Sequence, residues 1–345
     1  MKQKWESLVE VVRGPLVESI HMGAIAVVDS HGQVLFQAGD IDELYYLRSS
    51  AKPFQTLPLL ENGGAQRFGL TVKEIAITCA SHQGTDDHVA ALMSMHKKIG
   101  LSVDQLLCGV HAAGDRETQF AMRERGEEPN AYRHNCSGKH TGMLAQCVLG
   151  GYSTEAYTDP KHPVQQQILS TFAEMVDVTK EDVVIGIDGC SAPVFAIPLK
   201  NAAYGVARLC DPVGLAADRQ AACREASSAM IQHPFMVSGP NHSLDTLLIQ
   251  AGSGKLISKG GADGYQIVGV LPGVMPDHPE GIGIAFKVLD GDAQGRARGV
   301  IVTTLLQSMG VLNEEELQPM KDFLAGPIFN VAGLEVGSIR PSFRW

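Results

Sequence analysis

The chain has 345 residues, of which 44% are hydrophobic, enough to bury a large core as one big domain or two modest ones. Asp and Glu outnumber Lys and Arg by 38 to 28, a net charge of -10 with an isoelectric point near 5.6, so the average surface repels the phosphates of nucleic acids and anionic membranes. No apolar run reaches the roughly 18 residues of a membrane span. The opening Met1-Lys2-Gln3-Lys4-Trp5-Glu6 lacks the apolar core and small-residue cleavage site of a secretory leader, so a cytoplasmic protein is expected, with neither nucleic acid nor membrane as partner. Seven cysteines (79, 108, 136, 147, 190, 210 and 223) without tight spacing are poor evidence for a disulfide framework; reduced thiols are the default, some of them candidate metal ligands.

In chain order, residues 23–28 and 33–36 are short apolar runs separated by Asp29-Ser30-His31-Gly32, which supplies turn chemistry for an antiparallel hairpin. The stretches 86–99, 139–149, 163–176, 213–232 and 243–251 are rich in Ala, Gln and Leu and mostly helical in period. One β-rich run, 183–187, ends in Asp188-Gly189-Cys190. Residues 265–271 and 282–289 read as strands, 290–295 as a turn, and 300–309 as a helix ended by Gly310. Strands flanking a helical middle predict an α+β fold with one antiparallel sheet shared by the two ends, not a doubly wound α/β fold. Residues 1–345 read as a single unit, with a helical lobe (about 60–250) inserted between the two parts of a sheet domain; no internal repeat or low-complexity linker divides it.

Arg48-Ser49-Ser50-Ala51-Lys52-Pro53 lies at a helix beginning, where Pro53 is tolerated because its missing N–H had no intrahelical partner. Side chains at i and i+3 share a helix face, so the lysine amine can reach the serine hydroxyl without a histidine. Free N–H groups and the positive end of the helix dipole can hold an oxyanion there. A lysine base must shed its proton, which burial or nearby positive charge favours. The alternative is that Ser49 or Ser50 simply caps the helix.

Two further segments bear on that choice. Ser81 follows the apolar run 75–78 in Cys79-Ala80-Ser81-His82-Gln83-Gly84-Thr85, and Lys259 stands in Ser258-Lys259-Gly260-Gly261 just before a predicted strand. Penicillin-binding and β-lactamase enzymes use Ser-x-x-Lys, a second serine loop and Lys-Thr-Gly on a strand, in that order. The order Ser49/Lys52, Ser81, Lys259 is the same, but Ser81-His82-Gln83 is not Ser-Asp-Asn and Lys259-Gly260-Gly261 lacks the threonine, which argues against β-lactam hydrolysis.

Asn135-Cys136-Ser137-Gly138-Lys139-His140-Thr141-Gly142 superficially resembles a phosphate loop, yet Arg133 stands where its first glycine belongs and His140 where Ser or Thr should follow the lysine, so nucleotide binding is rejected. With Asp188-Gly189-Cys190-Ser191-Ala192-Pro193 it offers two thiols, a lysine and an aspartate in Gly-rich turns, donors that suit Zn²⁺, although buried unliganded cysteines are commoner.

Together, Arg48 to Pro53, Ala80 to Gly84, His134 to His140, Asp188-Gly189-Cys190 and Lys259 to Gly264 resemble the rhizobial-type L-asparaginases, class 3 or the asparaginase II family, over roughly residues 8–335. The resemblance implies a serine β-lactamase/glutaminase-like fold, a homodimer, and hydrolysis of L-asparagine to L-aspartate and ammonia. By it, Ser49 is the nucleophile and Lys52 its base, Ser81 and Lys259 a second Ser–Lys pair, and Cys136, Lys139 and Cys190 the ligands of a zinc ion that positions substrate or tunes affinity. Asp188 becomes a cleft carboxylate for the α-ammonium and Arg48 a bidentate partner for the α-carboxylate; His140 is a further substrate-side candidate, equally explicable, like His82 and His134, as a structural hydrogen-bonder. The competing readings are a glutaminase or penicillin-recognising serine hydrolase, and a zinc-stabilised amino-acid-binding protein without turnover.

Overall fold

The computed structural model describes residues 4–240 and 242–345. Met1, Lys2 and Gln3, on which the reading of the N-terminus partly rests, lie outside the described residues.

The main sheet draws on both ends of the chain. Its strands are β1 (Glu6–Arg13), β2 (Leu16–Asp29) and β3 (Val34–Ala38). A second, three-stranded sheet comprises β4 (Leu44–Tyr46), β5 (Val184–Ile187) and β6 (Pro193–Pro198), in the order β4-β6-β5. The C-terminal strands are β7 (Leu256–Gly261), β8 (Tyr265–Val270), β9 (Ile282–Val288), β10 (Gly326–Phe329) and β11 (Glu335–Pro341). The main sheet runs β10-β11-β1-β2-β9-β8-β7, with β3 paired to β2 and every named pair antiparallel. The fold is therefore α+β, as the flanking strands imply.

Its centre is β2. The 23–29 half of β2 pairs Gly23↔Val288 through Asp29↔Ile282 with β9, which leaves Ala24 to Val28 buried on both faces and accounts for the unbroken apolar run there. Helix Leu199–Cys210 packs on β2, β8 and β9 through its small-residue face, including Ala202, Ala203 and Val206. A Cβ on Gly283 would sit 1.8 Å from the Ala203 carbonyl oxygen, so that helix lies against β9 at a distance only glycine permits.

The expected helices occur as Asp86–Ile99, Ser137–Gly150, Pro163–Met175, Ala217–Gln232, Leu244–Gly252 and Ala297–Ser308. Their limits follow local chemistry: Thr85 closes a capping box at the first, Pro163 opens the third, and Gly100 and Gly151 end the first and second in the left-handed region. Residues 213–216 precede helix Ala217–Gln232 and are not helical. Helix Lys52–Glu61 follows the Arg48–Pro53 turn as that segment implies, whereas helices Val72–Thr78 and Leu199–Cys210, and strands β1, β6, β7, β10 and β11, go beyond the sequence reading. No helix of the described residues is long and apolar enough to cross a membrane.

Candidate active site

The turn Arg48–Ala51 is a single 3-10 turn running straight into helix Lys52–Glu61. Buried Leu47 ties it to β6 through the Phe195 carbonyl (3.0 Å), and Arg48 takes a left-handed backbone, φ 53°, uncommon for a residue with a side chain. The two serines then part company. Ser50 is fully buried and donates to the Lys259 carbonyl at 2.8 Å. Ser49 is half-buried, and none of the hydrogen bonds among the described residues involves its hydroxyl.

Lys52 is 1% exposed. Its Nζ donates to the Ala80 carbonyl at 2.6 Å and to Ser81 Oγ at 2.9 Å. Ser81 is held from behind, its N–H bonded to the Val237 carbonyl. The carbonyl and hydroxyl at the end of helix Val72–Thr78 thus supply the polar partners that a buried amine requires.

Lys259 sits inside β7 itself, not ahead of a strand, because the β7–β8 hairpin begins at Leu256. Its Nζ donates to the Gly260 carbonyl at 2.8 Å and stands 3.7 Å from the buried Asp245 carboxylate. Lys259 and Ser81 were expected to pair; instead Ser81 is the partner of Lys52, while Lys259 is oriented by its own strand and by Asp245. Burial lowers the Lys259 ammonium to about 8, against the raising effect of Asp245, and the Lys52 charge adds to the lowering.

Cys136, Lys139 and Cys190 converge in the interior, each at most 5% exposed. Cys136 and Lys139 lie at the start of helix Ser137–Gly150, and Cys190 lies in the β5–β6 connection. Lys139 Nζ is 3.1 Å from Cys190 Sγ. A hydrogen bond from Cys190, which outweighs burial with help from Lys52, His134 and Lys139, holds Cys136 well below the usual thiol range. That same bond, together with burial, pushes Cys190 up. Burial would lower Lys139, but the two sulfurs turn the balance and raise it. Among the described residues no group of three or more His, Cys, Asp or Glu is placed to hold a metal, so a site here needs Lys139 as its third donor.

At the rim, Arg48 donates from Nε to Asp188 Oδ1 at 2.9 Å and pairs through its other arm with Asp263 in the β7–β8 turn. The two groups assigned to opposite ends of a substrate therefore neutralise one another in this state. His140, a substrate-side candidate, belongs elsewhere: it is 0% exposed, and its Nδ1 meets the hydroxyl of the equally buried Tyr157 at 2.7 Å. Burial, then Lys139, holds it well below the usual imidazole range, so it is a neutral core histidine. His82 is likewise internal, its Nε2 on Ser137 Oγ at 2.9 Å.

Sequence reasoning missed Asp245, whose Ser243-Leu244-Asp245 context reads as an ordinary acidic helix start. It also assigned no role to Asp263, although Asp263-Gly264 after a Lys-Gly-Gly strand is a turn signal. A cleft of 370 Å³ lined by Gln119, Met122, Arg123 and Glu127 shares no residue with this cluster.

A sequence profile described as L-asparaginase II matches residues 9–341. No curated protein matches the chain. Similar solved structures include a chain titled as an analysis of Mglu (14% identity over 84% of this chain and 67% of that one, TM-score 0.39). Another is a probable glutaminase from Bacillus subtilis complexed with 6-diazo-5-oxo-L-norleucine (12%, 84% and 84%, TM-score 0.40). A third is a Bacillus glutaminase in 4.3 M NaCl (13%, 84% and 91%, TM-score 0.38).

Proposed function

Because the chain belongs to the L-asparaginase II family, and so to the amidohydrolases, we propose that it hydrolyses L-asparagine to L-aspartate and ammonia through an acyl-serine intermediate. The observation that carries this reading is the division between the two polar groups of one turn. Ser49 leaves its hydroxyl uncommitted at a half-buried position, while Lys52 is buried and bonded to Ser81.

Ser49 Oγ attacks the side-chain amide carbon and gives its proton to Lys52 in its neutral form, by way of Ser81 or directly. The protonated Lys52 then passes that proton to the leaving nitrogen, and ammonia departs. Water, deprotonated by the same lysine, then attacks the ester carbon; the bond to Ser49 Oγ breaks, aspartate leaves, and the lysine returns the proton to Ser49 Oγ. Lys259, charged below about pH 8, places an ammonium where negative charge develops on the carbonyl oxygen. Arg48 and Asp188 exchange their mutual pairing for the α-carboxylate and α-ammonium of the substrate, which carries both charges on one carbon.

Cys136, Cys190 and Lys139 would suit a zinc ion with an open position, once the metal displaces the protons of Cys190 and of the Lys139 ammonium. Bound there, zinc would supply fixed positive charge to the cleft. The family likeness that leads us to propose asparagine also leads us to propose a homodimer, which sedimentation velocity tests.

Substrate choice is tested by ammonia release from asparagine and glutamine side by side. Release from asparagine with little from glutamine is expected. Preference for glutamine, or binding of asparagine without release, overturns the proposal.

A further inference from the structure

Asp245 lies in the first turn of helix Leu244–Gly252, 6% exposed, beneath the strand that carries Lys259. Its oxygens are fully engaged. Oδ1 accepts from Ser258 Oγ at 2.8 Å and from Gln266 Nε2 at 2.7 Å, and Oδ2 accepts from the Gly260 N–H at 2.8 Å. Ser258 and Gly260 are the neighbours of Lys259 on β7, and Gln266 is the cross-strand partner of Gly260 on β8. One carboxylate therefore grips the strand on both sides of the lysine and also stands 3.7 Å from its ammonium.

This arrangement is more than a packed ion pair. A helix acid near its own N-terminus needs no such partners, and a buried carboxylate costs several kcal/mol unless compensated. Here the compensation comes from groups fixed by the β7–β8 hairpin, so the carboxylate and Lys259 are locked to one frame. The space is close: a Cβ on Gly260 would come within 3.3 Å of Asp245 Oδ2 and 3.2 Å of both Arg298 and Gln266. The charged and titratable groups around Lys259 are Asp245 from this helix, Lys52 from helix Lys52–Glu61, Cys136 ahead of helix Ser137–Gly150, Cys79 after helix Val72–Thr78 and Arg298 from helix Ala297–Ser308. Asp245 is the carboxylate of that set, and Lys259, Lys52 and Arg298 are its basic members.

We infer that Asp245 is a positioning residue for amide hydrolysis: bonded to Ser258, Gly260 and Gln266, it fixes the direction of Lys259 and supplies the counter-charge that keeps its ammonium in place opposite Lys52. The inference rests on the reading of Lys259 as part of the site. Asp245 touches no substrate and acts only through Lys259.

The test is the pH profile of kcat for ammonia release from asparagine, with thermal melts as a check on folding, for Asp245→Asn, Ser258→Ala and Lys259→Met. Asp245→Asn keeps the shape and removes the charge. Its alkaline limb moves to lower pH by about one to two units, the size expected of an opposite charge at this range, and kcat at pH 7 falls about two- to tenfold with KM little changed. Ser258→Ala is the milder variant should the asparagine fail to fold. It strips one donor from the carboxylate and strengthens it as a counter-charge, so the limb moves to higher pH by a few tenths. Lys259→Met loses the limb. A limb unmoved in every folded variant of Asp245 and Ser258, with the Lys259→Met limb lost, overturns the role of Asp245 alone. A Lys259→Met enzyme with wild-type kcat and limb overturns the reading of Lys259, and the inference with it.

Discussion

Ser49 and Ser50 are neighbours with the same side chain, and their surroundings differ: Ser50 is buried and bonded, while Ser49 is half-buried with no hydrogen bond from its hydroxyl among the described residues. Ser50 is a structural donor to the Lys259 carbonyl, so Ser50→Ala is expected to cost about 1 kcal/mol in thermal or denaturant unfolding while retaining measurable ammonia release. Lys259 carries a second prediction. Its folded value near 8 lies below the roughly 10.4 of an exposed lysine, so between these limits the unfolded chain binds the extra proton. Stability due to Lys259 is therefore fully present above about pH 10.4 and is lost as pH falls through 8, a difference on the order of 3 kcal/mol. Urea titrations of wild type and Lys259→Met across this window should diverge with that sign; parallel curves would contradict the burial of a titrating lysine. At this scale the Ser-x-x-Lys spacing was visible in the sequence, although none of the hydrogen bonds among the described residues joins Ser49 to Lys52. The choice between the serines was not, nor the pairing of Lys52 with Ser81, since both depend on Ala80, Val237 and Lys259 reaching the turn from distant segments.

The site is built where helix ends meet strand ends. Helix Ser137–Gly150 crosses helix Val72–Thr78 so closely that a Cβ on Gly138 would lie 2.0 Å from the Ile77 carbonyl oxygen. Gly138→Ala must push the helices apart, and with them Lys139 from one side and Ser81 from the other. A loss of about 1–3 kcal/mol is expected, with a larger fall in ammonia release than the stability loss explains; an unchanged melting temperature would contradict that contact. Elements with one strong period, such as helix Asp86–Ile99 or the buried half of β2, could be read from sequence. Others could not. In β1, Glu6–Arg13, charged residues alternate irregularly with Leu8, Val9 and Val11, while β10 and β11 are half-exposed and carry Gly and Pro. Conversely the apolar run 183–187 became β5, an exposed strand at the edge of the small sheet, and the buried strand is β6, which a proline at each end disguised.

At the scale of the molecule, the two ends of the chain close one sheet around the helices between them. β11 covers β1 from Val9↔Pro341 to Val12↔Ser338, and beyond it Phe343 and Trp345 pack their rings near Phe36. Removing residues 326–345 would leave β1 an unpaired edge; a lower melting temperature and aggregation by light scattering are expected, whereas an unaltered monodisperse protein would show that the C-terminal strands are dispensable. The zinc proposal is also tested on the whole chain: a zinc-to-chain ratio near unity in wild type should fall sharply in Cys136→Ser, and equal zinc in both would rule out that ligand set. The α+β class was legible because strands at both ends of a helical middle leave few other arrangements. The charged contacts that tie β7, helix Leu244–Gly252 and the Arg48 turn together have no sequence period and became visible only in three dimensions. The most direct test of the acyl-serine reading is ammonia release from L-asparagine by wild type and Ser49→Ala, with both shown to be folded by thermal melts. A fall of ~10³-fold or more in kcat at an unchanged melting temperature is the predicted result; a folded Ser49→Ala protein that releases ammonia within a few-fold of wild type would contradict it.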